Sequence, residues 1–206
     1  MGQVVAPGFI DLLGQSEFTV LVDSRAASKI TQGITTEITG EGVSIAPVND
    51  PMADRKATYD FFKITQYWHT LDEYFARLTK STTTVNVGTF VGSGELRDYV
   101  VGKEDRVATT DELTAMKALV ADAMAQGALG LSSSLQYIPN RYSTTDELVE
   151  LAKVAAEHGG TYITHQRSEG DKVFESVDEV LAIAERADIP TEIWHLKTAC
   201  RRRSLR

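Results

Sequence analysis

The chain has 206 residues with 21 lysines and arginines against 29 aspartates and glutamates, a net charge of −8, so it is one large domain or two small ones without the basic excess that a nucleic-acid surface needs. With 42% hydrophobic and 24% charged residues, the composition is that of a globular protein with a core, and it excludes the disordered, collagen-like and disulfide-rich classes. The single cysteine, Cys200, rules out an internal disulfide and a cysteine-rich zinc site, and no apolar run reaches bilayer length; a soluble, cytoplasmic protein with no membrane or nucleic-acid partner is expected.

Short β-type runs recur between amphipathic helical stretches, at 4–11, 35–40, 83–90, 128–133, 161–165 and 192–196. After the second run, 43–67 is the least regular stretch, with Pro47, Asn49, Asp50 and Pro51 marking a long loop before a helix at 70–80. The run Gly88-Thr89-Phe90-Val91-Gly92-Ser93-Gly94 lacks the Lys-Ser/Thr ending of a phosphate-binding loop and reads as a flexible loop. Thr110-Asp111-Glu112-Leu113 opens a helix that ends at Gln126-Gly127, and Thr144-Thr145-Asp146-Glu147-Leu148 opens another that stops at His158-Gly159-Gly160. A third spans 171–187, with Val173, Val177, Val180, Leu181 and Ala184 at helical spacing before Asp188-Ile189-Pro190.

Strands that alternate with helices require a parallel sheet, either open and doubly wound or closed into a (β/α)₈ TIM barrel. Asp11, Glu41, Ser132, His165 and His195 all fall at or just past the C-terminal ends of their β-runs. In a barrel those ends converge on one catalytic face, whereas an open sheet brings together only neighbouring strand ends; the barrel is therefore expected. A complete barrel takes roughly 250 residues and eight strands. Six β-runs in 206 residues predict an incomplete barrel over 1–199, and the arginine-rich segment 200–206 reads as a basic tail outside the fold.

Of the four histidines, His158 sits at a helix end and His69 beside a cap-like threonine, where helix capping and packing account for them. His165 and His195 each terminate a β-run on consecutive strands. Two imidazoles so placed point into one pocket, as at a divalent-metal site; the alternative is an ordinary hydrogen-bonded pair. Glu41, between Gly40 and Gly42 at the second strand's end, can add a third, anionic ligand or be a solvated turn acid. Arg167, in Thr164-His165-Gln166-Arg167-Ser168-Glu169-Gly170-Asp171, is a candidate for holding a carboxylate or orienting Glu169, against an exposed ion pair. Ser132-Ser133-Ser134 lacks the flanking glycines of a nucleophile elbow.

Five segments in register carry a resemblance: Val4-Val5-Ala6-Pro7-Gly8-Phe9-Ile10-Asp11, Lys29-Ile30-Thr31-Gln32-Gly33-Ile34-Thr35-Thr36, Gly127-Ala128-Leu129-Gly130-Leu131-Ser132-Ser133, the His165 run and His195-Leu196-Lys197. Together they resemble the landmarks of the D-aminoacylase (N-acyl-D-amino-acid deacylase) family of the amidohydrolase superfamily, almost to Ala199. The resemblance implies a metal-dependent barrel that hydrolyses the amide of a small-molecule N-acylated D-amino acid. It implies that His165 and His195 bind one zinc ion, and that Tyr137 contacts substrate with a hydroxyl able to stabilise the developing oxyanion, the alternative being a loop tyrosine packed on the barrel rim; Arg167 and Lys197 are the candidate substrate-binding residues. The family's third ligand, a cysteine in Gly-Asn-Cys-Gly, corresponds to Gly40-Glu41-Gly42, which makes Glu41 the substitute.

Two departures accompany this resemblance. Where the superfamily's His-X-His follows the first strand, the chain reads Leu12-Leu13-Gly14-Gln15-Ser16-Glu17, so a second metal position is expected to be absent. The family's catalytic aspartate follows an eighth strand that these residues do not reach, so the deacylase is expected to be inactive as this chain alone. A non-catalytic, metal-binding barrel fragment is the alternative, and a dihydroorotase- or hydantoinase-like cyclic amidase ranks below both for want of the His-X-His. Acyl and amino-acid preference and oligomeric state stay open.

Overall fold

The computed structural model describes residues 4–49 and 53–199, so the expected tail at 200–206 lies outside the described residues. The chain runs β1 (Phe9–Asp11), α1 (Thr19–Val22), α2 (Ala27–Ile30), β2 (Ile34–Thr39), α3 (Ala53–Phe62), α4 (Leu71–Ser81), β3 (Asn86–Thr89), β4 (Val91–Gly92), α5 (Ser93–Val100), α6 (Thr110–Ala125), β5 (Gly130–Ser134), α7 (Thr145–Glu157), β6 (Thr161–His165), α8 (Val173–Ala187) and β7 (Thr191–Ile193). A 3₁₀ turn at Asn140–Tyr142 follows β5.

Every strand pairing is parallel, in the orders β1-β2-β3 and β4-β5-β6-β7. β3 and β4 are separated by Phe90 alone, whose N–H donates to the Thr39 carbonyl at 3.0 Å, so 86–92 serve as one barrel strand joining the two sheets. The result is six consecutive strand positions of an incomplete (β/α)₈-type barrel, as the β-runs predicted. Among the described residues, β1 pairs only with β2 and β7 only with β6.

Local sequence explains the helix starts. Thr70 and Thr109 each close a capping box with Glu73 and Glu112, which satisfies donors that a helix N-terminus otherwise leaves open. Thr144 caps α7 in the same way, accepting from the Glu147 N–H at 3.1 Å. The Glu147 carboxylate instead turns inward and accepts from Arg97 at 2.8 Å, a fully buried pair between α5 and α7.

Residue alternation sorts β5 and β6 between two cores. Leu131 and Tyr162 face the helices and pack with Met116, Val120, Leu148, Leu151 and Ala152 in the larger one. Ile163 faces the barrel axis with Ile38, Phe90 and Trp194. Trp194 packs edge-on against Phe90 at 6.0 Å and donates from its indole N–H to the Leu12 carbonyl at 3.1 Å, tying the end of β7 to the loop after β1.

Two sequence expectations are corrected here. The irregular stretch 43–67 contains α3, and its loop is well anchored: the Trp68 indole donates to the Ile45 carbonyl at 3.1 Å. The glycine run at 88–94 is a barrel strand and the start of α5, with Gly92, Ser93 and Gly94 buried.

Candidate metal centre

Glu41 lies in a tight turn after β2 that the sequence makes possible through two glycines. Gly40 and Gly42 have φ of +93° and +68°, in the left-handed region that side-chain-bearing residues rarely adopt. A Cβ on Gly42 would meet the Ser134 backbone nitrogen at 2.4 Å, and one on Gly92 would meet the Gly42 carbonyl at 2.4 Å. The turn is therefore pressed against β4 and β5, and hydroxyls fasten it there. The Ser132 hydroxyl accepts from the Gly42 N–H at 3.0 Å and donates to the Gly40 carbonyl. The Ser134 hydroxyl donates to the Glu41 carbonyl at 3.1 Å, and the Gly94 N–H donates to the Gly42 carbonyl at 2.9 Å.

From this turn the Glu41 carboxylate reaches both strand-end imidazoles. Its Oε1 lies 3.0 Å from His165 Nδ1 and 3.2 Å from His195 Nε2. His165 is the last residue of β6 and nearly buried, while His195 follows β7 with φ +38°. Histidine is among the side chains that tolerate this backbone, which costs on the order of 1 kcal/mol or more and turns the ring back over the barrel mouth. The two rings meet edge-on with centroids 4.5 Å apart.

Glu41, His165 and His195 each offer one ligand atom, all within 4.8 Å of one another, and the described residues contain this one such group of three or more. Donors placed about 2.0–2.2 Å from a common zinc ion in tetrahedral array are about 3.4 Å apart, so two neutral imidazole nitrogens and one carboxylate oxygen in this arrangement fit a divalent cation. The three residues singled out in the sequence are thus brought together.

The remaining site candidates surround them. Lys197 Nζ sits 2.6 Å from Glu169 Oε1 and 3.0 Å from His195 Nδ1. The Tyr137 ring stands edge-on to His165 at 5.2 Å and is more than half exposed. Arg167 does not reach Glu169: its guanidinium pairs with Glu179 at 2.8 and 2.9 Å and donates to the Arg141 and Ser143 carbonyls, while Glu169 pairs with Lys197. Arg167 also lines a cleft of about 490 Å³ with Gln136, Arg141, Lys172 and Glu175.

Other sequence features serve the framework. Asp11 accepts from Lys29 at 2.7 Å, a bond that holds its carboxyl below the usual range, and Lys29 also pairs with buried Glu37 at 2.9 Å. The His158 ring makes a 2.9 Å contact with the Val154 carbonyl at the end of α7. Sequence reasoning missed Gln15, whose amide donates to Glu41 Oε2, and the anchoring of the Glu41 turn by Ser132 and Ser134.

No protein-family model matches the chain. A D-aminoacylase of Alcaligenes xylosoxydans xylosoxydans is 35% identical over 204 residues, covering 95% of this chain and 41% of that protein. The crystal structure of a D-aminoacylase whose binuclear metal centre shows one-metal activation and second-metal attenuation superposes with a TM-score of 0.82 at 33% identity, covering 91% of this chain and 40% of that one. An N-acyl-D-glutamate deacylase of Bordetella bronchiseptica, complexed with zinc and a phosphonate mimic of the tetrahedral intermediate, gives a TM-score of 0.80 at 33% identity, covering 90% and 39%. The chain thus spans about two fifths of the length of the relatives it matches. Among the described residues, no helix is long and apolar enough to cross a membrane.

Proposed function

As a chain that belongs to the D-aminoacylase family of amidohydrolases, this protein, we propose, carries the metal-holding part of an N-acyl-D-amino-acid deacylase site, with Glu41, His165 and His195 as the ligands of one zinc ion in the cytoplasm. The observation that carries this reading is the convergence of three ligand atoms from three separate strand ends. A divalent cation held there supplies Lewis acidity, which polarises an amide carbonyl and makes water a stronger nucleophile near neutral pH.

The chain's own residues do the rest of the positioning. Gln15 holds the outer oxygen of Glu41, so that Oε1 stays directed at the imidazoles. This neutral amide also stands on the β1 side, where a second ligand set would need an imidazole, and supports a single-metal site. Tyr137 presents a phenol at the mouth beside His165, and its O–H can donate to the carbonyl oxygen as that atom gains charge. Lys197, more than half exposed beside His195, is the cation nearest the ligands for a substrate carboxylate. Arg167 acts as a positioning residue: by gripping Glu179 and the carbonyls of Arg141 and Ser143 it shapes the cleft in which the N-acyl-D-amino acid would lie.

Elemental analysis of the purified chain, with His165→Ala and Glu41→Ala alongside and hydrolysis of N-acetyl-D-amino acids assayed on the same samples, tests the reading. About one zinc per chain, lost in both variants, is the expected result for a three-ligand site. A folded chain that takes up no metal overturns it. Hydrolysis that depends on metal separates the deacylase from a metal-binding protein without activity.

A further inference from the structure

The contacts around the two histidines place a carboxylate oxygen on the very ring nitrogens that a metal would need. A carboxylate oxygen accepts, so the contacts of Glu41 Oε1 at 3.0 Å from His165 Nδ1 and 3.2 Å from His195 Nε2 are hydrogen bonds when those two nitrogens carry the protons. His195 Nδ1 is then a free lone pair, and it accepts from Lys197 Nζ at 3.0 Å. Among the described residues, His165 Nε2 is buried without a hydrogen-bond partner.

A ring nitrogen gives its lone pair to a cation only when the proton sits on the other nitrogen. If Nδ1 of His165 and Nε2 of His195 are to ligate a metal, their protons must stand on His165 Nε2 and His195 Nδ1. Both of those atoms face one oxygen: Glu169 Oε1 lies 3.5 Å from His165 Nε2 and 3.4 Å from His195 Nδ1. An approach of a few tenths of an ångström makes each a normal hydrogen bond. The backbone keeps the parts in place, because the Ala199 N–H donates to the Glu169 carbonyl at 2.7 Å and holds the segment carrying Lys197 against the loop after β6.

We propose that Glu169 is the shared acceptor that locks both imidazoles in their metal-binding tautomers, while Lys197 holds His195 in the metal-free one. The inference rests on the metal-site reading above. Glu169 is thus a positioning residue that acts through the two ligands, and Lys197 competes with it for His195 Nδ1. A carboxylate behind a ligating histidine fixes the tautomer and typically accounts for about 10- to 100-fold in metal affinity.

The test is made on the whole 206-residue chain with zinc alone. Long-range ¹H–¹⁵N correlation spectra of the histidines are recorded before and after loading, and zinc affinity is measured by competition with a chromophoric chelator. In the parent, zinc should move the proton of His165 from Nδ1 to Nε2 and that of His195 from Nε2 to Nδ1. Glu169→Ala should weaken zinc about 10- to 100-fold, and Glu169→Gln, which keeps a neutral acceptor, should recover part of the loss. Lys197→Met should bind zinc more tightly than the parent, an effect that a merely structural lysine would not produce. Glu169→Gln also stands in should the alanine variant not fold. Equal zinc affinity in the parent and both Glu169 variants, or tautomers that do not change on loading, overturns the proposal while leaving the ligand set intact. A parent chain that takes up no zinc overturns the ligand set and this inference together.

Discussion

Three consecutive serines on β5 separate the support of the metal centre from the support of the fold. Ser132 is fully buried, and its one hydroxyl serves two backbone groups of the Glu41 turn, the Gly42 N–H and the Gly40 carbonyl. Removing it strands both, and a buried unsatisfied polar group costs about 1–3 kcal/mol, so Ser132→Ala should lose about 2–6 kcal/mol of stability. It should also weaken zinc binding, since the turn that aims Glu41 is released. Ser134→Ala deletes one bond, to the Glu41 carbonyl at 3.1 Å, and should lose about 1 kcal/mol with a smaller fall in zinc affinity. Ser133 alternates to the helix side, where its hydroxyl meets Tyr162 Oη at 2.6 Å and Thr164 Oγ1 at 2.7 Å. Burial pushes the Tyr162 hydroxyl up to about 12, so it stays neutral near pH 7, and because Tyr162 and Thr164 also hydrogen-bond each other, Ser133→Ala should lose only about 1 kcal/mol and leave zinc affinity unchanged. Urea unfolding of the metal-free chains and chelator competition on the folded ones give the two readouts. Zinc affinity that falls as far in Ser133→Ala as in Ser132→Ala would refute the sorting of these side chains by face.

The buried Arg97–Glu147 pair offers a second prediction. Arg97→Met leaves the Glu147 carboxylate uncompensated between α5 and α7 and should lower stability by about 3–5 kcal/mol, whereas Arg97→Met with Glu147→Leu should recover most of it in urea unfolding; a double variant as unstable as the single one would contradict the pairing. A third concerns acid. Hydrogen bonds from Lys153 and then Lys117 hold the Glu150 carboxyl at about 2, below its ordinary 4.5, so these bonds stabilise the fold fully above about pH 4.5 and cease to do so as the pH falls toward about 2. Glu150→Gln should flatten that part of the pH dependence of the urea midpoint, and a curve parallel to the parent's between pH 5 and about 2 would count against it.

Where fold and site were legible in the sequence, the cause was local. The threonine-acid starts of α6 and α7 and their glycine ends are chain-neighbour effects, and both helices fall where those signals place them. The helix α3 was hidden because its neighbourhood carries turn residues and Phe61 projects into solvent, which breaks the apolar stripe. The start of α5 was hidden because Gly92 and Gly94 suggest a loop, whereas the close approach of Gly42 is what requires them. His165 and His195 were visible as endings of β-runs. The partners that complete the site were not: Ser132 reaches the Gly40 carbonyl across 92 positions, Gln15 reaches Glu41 across 26, and no local pattern encodes either contact.

The proposed ligand role of Glu41 has a geometric logic. The resemblance sets Gly40-Glu41-Gly42 against a Gly-Asn-Cys-Gly turn, and the shorter turn carries a longer side chain whose carboxylate oxygen reaches both imidazoles. A long side chain brings rotamer freedom that must be suppressed for ligation. Gln15 on Oε2, the two histidines on Oε1 and the hydroxyls of Ser132 and Ser134 on the turn together suppress it. The same contacts impose a cost that a thiolate, a poorer acceptor, would impose less: the metal must displace two hydrogen bonds from Glu41 before it gains two nitrogen ligands. On the tautomer proposal, zinc affinity is therefore the difference between two networks, a metal-free one closed on Glu41 that leaves His165 Nε2 unpaired among the described residues and a metal-bound one closed on Glu169.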